Sequence, residues 1–182
     1  MKNQIVLLAA VFCVFAIPAF SQNSGQNMKN NDVINTEKKS ADANPEDVRS
    51  IDAILKATYA AISGDVGKAR DWDRFNSLFL PNARLIPTGK NMQTGVISAR
   101  TMSPQDYIDG SGKFLMDSGF TEKEIARTVN IFGNIAQVFS TYEGVFMQNG
   151  KQAKIRGINS FQLMHDGKRW WVVTIFWTAE RP

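Results

Sequence analysis

Apolar residues recur at helical spacing in the first ordered stretch of the chain. Val48, Ile51, Ile54, Leu55, Thr58, Tyr59 and Ile62 fall on one face. Asn44 suits the cap, Pro45 the first turn, Glu46 and Asp47 the positive end, and Gly64 the stop. Trp72, Phe75, Leu78 and Phe79 give a second, shorter helix a bulky inner face from Asp71 to a stop at Pro81. The pattern then shortens to strand period. Ala83 to Pro87 reads as a strand, Thr88 to Asn91 as a turn, and Met92 to Ala99 as the return. Ser103 caps a third helix that runs toward Gly119. Four strands follow, over 124–132, 135–147, 152–164 and 169–178. Asn149-Gly150 and Asp166-Gly167 mark two tight hairpins between them. No βαβ rhythm appears, so the class is α+β with a mostly antiparallel sheet.

Two-residue turns allow the strand register to be counted. Around Asn149-Gly150, Glu143 meets Arg156, Tyr142 meets Gly157 and Ser140 meets Asn159. Around Asp166-Gly167, His165 meets Lys168, Phe161 meets Val172, Asn159 meets Thr174 and Arg156 meets Trp177. Side chains alternate across a sheet, so these rows sort into two faces. One face is apolar and is crossed by a polar row, Ser140, Asn159 and Thr174. It carries no Asp, Glu or His. The other holds Glu143, Arg156, Trp171, Ile175 and Trp177, a mixed patch suited to contact with a second copy of the chain.

The polar row has two readings. Its members satisfy one another across the strands, or they face a cavity and bind a ligand. Gly157 beside Tyr142 leaves room for the second. The predicted pocket is lined by Tyr59, Trp72, Ser140, Tyr142, Asn159, Phe161 and Thr174. The partner is then a small apolar or amphipathic molecule.

The N-terminus changes the setting. Lys2, an apolar run from Ile5 to Ile17 and small residues at Ala19 and Ser21 read as a signal peptide over 1–21. The run is too short for a membrane span, which needs about 20 apolar residues. Residues 22–44 are rich in Asn, Ser, Lys and Asp and read as a linker. The domain then covers 45–182. A secreted or periplasmic protein is expected, with no membrane contact after cleavage. Cys13, the single cysteine, leaves with the signal. That removes disulfides, thiolate catalysis and cysteine–metal sites. The net charge of +4 is scattered and forms no basic stripe, which argues against nucleic acid as a partner. No cofactor or metal motif is present. His165 alone builds no metal site and sits at a turn. Asp71 and Asp73 suit a helix start, with Asp71 the first acid within reach of a pocket mouth. Arg84 is expected on an exposed strand.

The order of elements, with RDWDRFNSLFLPNARLI (Arg70 to Ile86) and NSFQLMHDGKRWWVVTIFW (Asn159 to Trp177), resembles the nuclear-transport-factor-2-like superfamily, in particular its SnoaL-like and ketosteroid-isomerase-like members. The resemblance spans Asn44 to Pro182. It implies a curved sheet forming a cone closed by three N-terminal helices, around a pocket. It also implies pairing into dimers through the outer sheet face. The superfamily holds isomerases, dehydratases, polyketide cyclases and non-catalytic binding subunits, so it leaves three expectations for this chain. One is a small-molecule-binding domain, probed by whether the cavity is open. One is a proton-transfer enzyme with an acid from the helical side, Asp71 first, as base. The last is an interaction domain whose core is filled by its aromatic residues.

Overall fold

Serine at position 50 divides what the periodicity predicts as one helix. Its backbone is extended and its hydroxyl accepts from Ala53 N at 3.1 Å, so it ends one helix and caps the next. The result is α1 (Pro45–Val48) and α2 (Ile51–Ile62). The computed structural model describes residues 42–180. The expected signal peptide, Cys13 and nearly all of the linker lie outside them. Among the described residues no helix is long and apolar enough to cross a membrane.

Asp71 caps α3 (Trp72–Ser77), accepting from Arg74 N at 2.9 Å. The helix ends before Pro81, and β1 (Phe79–Lys90) takes up the proline. Proline is tolerated because the ladder is interrupted there. Phe79 pairs with Val172 and the next pair is Arg84 with Thr174, with Asn82 at positive φ between. β1 also runs through the predicted turn at 88–90. The chain reverses later, where the Asn91 carboxamide accepts from Gln93 N and Thr94 N, and returns as β2 (Ile97–Ala99). A capping box between Ser103 and Asp106 starts α4 (Pro104–Asp117). Four long strands complete the chain: β3 (Thr121–Phe132), β4 (Ile135–Gln148), β5 (Lys151–His165) and β6 (Trp170–Ala179).

The strands form one open six-stranded sheet in the order β2-β1-β6-β5-β4-β3. Only the β1–β6 pair is parallel; the rest are antiparallel. The core lies between the helices and one sheet face. Ile54, Leu55, Phe75, Leu78, Val138, Phe161, Leu163 and Val172 are among its fully enclosed side chains.

The β4–β5 register agrees with the count, Ser140 opposite Asn159 and Glu143 opposite Arg156. The β5–β6 register does not. The Asp166 carboxylate accepts from Lys168 N and Arg169 N, which closes a four-residue loop and sets His165 opposite Trp170. Further along, Leu163 pairs with Val172 but Gln162 with Thr174, leaving Val173 as a bulge. The longer loop moves β6 by two positions and keeps its faces. The bulge moves it by one more and exchanges them. Asn159 therefore meets Trp177, not Thr174, and Phe161 meets Ile175. Ile175 and Trp177, predicted on the outer face, turn inward, while Thr174 and Phe176 turn out. Arg156 remains outward and opposite Glu143, as counted, but the two residues form their ion pairs elsewhere. Glu143 pairs with Lys123 at 3.6 Å and Arg156 with Glu180 at 4.0 Å. Trp171 folds onto its own hairpin, donating to Asp166 Oδ2 with the Arg169 guanidinium over its ring.

Candidate functional site

A cavity of about 260 Å³ lies between the helices and the inner sheet face. Its walls are mostly rings: Phe75, Tyr107, Phe114, Phe120, Phe161 and Trp177. α4 supplies Tyr107 and Phe114, and the bulge in β6 supplies Trp177 and Ile175. Tyr107 stands edge-on to Trp177 with centroids 6.3 Å apart, and stacks on Phe75 at 5.7 Å.

A second bulge places acid in this apolar space. Counted back from Phe132 opposite Ile135, Tyr142 would face Ile125. In β3 the pairing shifts there, Ala126 with Thr141 but Glu124 with Tyr142, so Ile125 is the extra residue. Glu122 and Glu124 thereby share the inner face with Tyr142. The expectation that this face carries no carboxylate is thus corrected. It rests on β4, β5 and β6 alone, and the acids come from β3.

Hydrogen bonds link the two acids. The Asn159 carboxamide donates one proton to Glu122 Oε1 at 3.0 Å and the other to Tyr59 Oη at 3.2 Å. Ser140 Oγ donates to Glu124 Oε2, so the 2.7 Å contact between Tyr59 and Ser140 has the phenol as donor. Arg127 Nε holds Glu124 Oε1 at 2.6 Å. The run from Asn159 through Tyr59 and Ser140 to Glu124 is thus satisfied within the protein, as buried polar groups must be. Glu122 is different. It lines the cavity and no cation pairs with it among the described residues. Part of its surface reaches cavity space, but protein surrounds it closely enough that desolvation dominates. Burial pushes its carboxyl up to about 7, against a smaller downward pull from the Asn159 hydrogen bond. Burial likewise pushes the Tyr59 phenol up to about 12 and raises Tyr107 and Tyr142, with the negative charge of Glu122 adding to each.

Of the predicted pocket residues, Tyr59, Tyr142, Asn159 and Phe161 line the cavity. Ser140 lies fully buried behind Tyr59. Trp72 packs on Phe75 and Gly112, joining α3 to α4 outside the cavity. Thr174 is on the opposite face, carried there by the Val173 bulge. Asp71 is an exposed helix cap. His165 accepts from Gly167 N in its turn, and exposed Arg84 donates to Asn82 O and Ala83 O. Among the described residues no cluster of metal-ligating side chains occurs.

No protein-family model matches this sequence, and no curated protein does either. Solved structures do match. A candidate calcium/calmodulin-dependent protein kinase II association domain from Xanthomonas campestris is 21% identical, with a TM-score of 0.54 over 72% of this chain and 86% of that one. The beta subunit of a candidate aromatic-ring-hydroxylating dioxygenase from Novosphingobium aromaticivorans is 12% identical, with a TM-score of 0.56 over 74% and 89%. A candidate scytalone dehydratase from the same organism is 10% identical, with a TM-score of 0.54 over 73% and 83%. The chain therefore has the nuclear-transport-factor-2-like cone fold. At these identities the likeness is one of fold alone, a fold that hosts several chemistries.

Proposed function

We propose that the domain binds a small, largely apolar molecule in the cone cavity and that Glu122 is its polar point of recognition. The observation that carries this reading is one carboxyl without a cationic partner, set among aromatic walls. A ligand site is typically an apolar concavity with a few convergent polar groups and a perturbed pKa. The cavity falls just below the ~300–1,000 Å³ of drug-sized ligand sites, which sets the ligand at about one ring with a short chain.

A second reading has a specific observation in its favour. A carboxyl titrating near neutrality, close to the Tyr107 and Tyr142 phenols, has the equipment of an acid–base group with donors for a developing oxyanion. Proton transfer of the isomerase or dehydratase kind is then the function, with Glu122 rather than Asp71 as base. Export by residues 1–21 and pairing of two copies through the outer sheet face belong to the same proposal.

A small-molecule library screened by thermal shift tests the reading. Hits are expected to raise the Tm of the native domain by mass action and to lose their effect in Ile155→Trp, which fills the cavity. No hits, or hits that persist in the filled variant, reject the pocket as the binding site. Deuterium exchange from solvent into a bound hit, abolished in Glu122→Gln with binding retained, selects the enzyme reading.

A further inference from the structure

The charge inventory of the cavity wall is one-sided. Among the described residues Glu122 is its single charged one, and no Lys, Arg or His lines the space. The cations nearest in the fold are already committed. Arg127 is taken up by Glu124 and Asp52, and Lys123 by Glu143. Arg70 is buried, with its guanidinium satisfied by backbone carbonyls. Every other group around Glu122 is neutral or electron-rich: Tyr59 from α2, Tyr107 from α4, Tyr142 from β4 and Asn159 from β5, with the Glu124 carboxylate on its own strand. An anionic ligand finds no counter-charge here among the described residues.

The polar atoms narrow the choice further. Both protons of the Asn159 carboxamide are used, one on Tyr59 and one on Glu122 Oε1. Oε1 is therefore held as an acceptor, which favours the ionised carboxylate. Oε2 receives no hydrogen bond among the described residues. Tyr107 and Trp177 line the same cavity and meet at 83°, and aromatic ring faces carry partial negative charge. A carboxylate beside perpendicular aromatic faces, with no competing cation, is the chemistry that recognises an organic ammonium ion.

We infer that the ligand of this pocket is a small aryl- or alkyl-ammonium cation, held by the Glu122 carboxylate and the faces of Tyr107 and Trp177. This deepens the binding reading above and rests on it. In the empty pocket the carboxylate is desolvated and lacks a counter-charge. A bound cation supplies the missing counter-charge and so offsets the desolvation, which links binding to ionisation of Glu122.

Three probes of similar shape separate the outcomes: benzyltrimethylammonium, its uncharged isostere neopentylbenzene, and phenylacetate, each titrated against tryptophan fluorescence. The cation is expected to bind at least ten-fold more tightly than the isostere at pH 8, and phenylacetate not to bind. Affinity for the cation should rise about ten-fold from pH 6 to pH 8, as a carboxyl with a pKa near 7 ionises. Glu122→Gln should abolish that rise and lower cation affinity at least ten-fold. Unchanged neopentylbenzene binding in the variant reports that its pocket is intact. Equal or tighter binding of neopentylbenzene to the native domain overturns the cation inference and leaves the pocket reading standing. Failure of all three probes to bind overturns both.

Discussion

Glu122 concentrates the molecule's free-energy conflict in one side chain. A carboxyl whose folded pKa is raised from 4.5 to about 7 binds its proton more tightly when folded than when unfolded. Its ionisation therefore opposes folding. The effect is absent below about pH 4.5, grows as pH rises to about 7, and is constant above that. Every ten-fold gain in proton affinity on folding corresponds to about 1.4 kcal/mol, and contact with the cavity reduces the total, so the full cost is on the order of 2–3 kcal/mol. Glu122→Gln keeps the shape and removes the titration. Urea denaturation should show the variant close to native stability at pH 4.5 and more stable by about that amount at pH 8. All other groups titrate alike in the two proteins, so a pH-independent difference would contradict the burial argument.

At the scale of elements, two single-residue bulges decide what the cavity contains. Periodicity and turn residues place the helical regions, though not the break at Ser50 or the end of α3, and they give the four long strands and the β4–β5 register, because Asn149-Gly150 fixes a two-residue loop. They place Tyr59, Tyr142, Asn159 and Phe161 together at the site. They do not reveal Val173 or Ile125 as extra residues, since neither is a glycine or proline that marks a break. Each bulge inverts the strand beyond it. One brings Glu122 and Glu124 inward, and the other brings Ile175 and Trp177. The Asp166 loop escapes the turn rule for a related reason: a carboxylate that accepts from two backbone N–H groups outweighs the Asp-Gly preference for a tight turn. The wall bearing Glu122 also depends on a clamp between elements. Arg70 donates to Ile62 O at the end of α2, to Gly64 O and Lys68 O beyond it, to Leu115 O in α4, and to Phe120 O just before β3. Gly64 is required for this approach, because a Cβ there would lie 2.6 Å from Arg70 Nη1. Arg70→Met leaves these carbonyls without their donor in a buried place and should cost at least about 3 kcal/mol in chemical denaturation. Arg70→Lys should recover less than half of that, since a point-like ammonium cannot span the fork. A loss under about 1 kcal/mol in Arg70→Met would show that the clamp is dispensable.

For the whole molecule, the question is what lies against the outer face of the sheet. Among the described residues the helices cover one face. On the other, one row runs Thr128, Phe139, Ser160, Phe176 and Ile86 across five strands. Phe139 and Phe176 flank Ser160 and are 52% and 48% exposed. Ile158 lies one row away, paired with Thr141 and Thr178. A two-fold axis lets one surface patch meet its own copy, and a second copy of the chain is the occupant we propose for this face. The centre of the contact is then Phe139 and Phe176, with Glu143 and Arg156 toward its rim, and not the Trp177 and Ile175 expected from the straight count. Phe139→Glu combined with Phe176→Glu introduces four carboxylates at the axis without touching the cavity. Sedimentation at micromolar concentration should show the native domain as a dimer and the double variant as a monomer. Pocket binding should be unchanged, because these side chains lie on the side of the sheet away from Glu122. A native monomer, or a double variant that still pairs, would place any association elsewhere and leave this apolar face to a different partner.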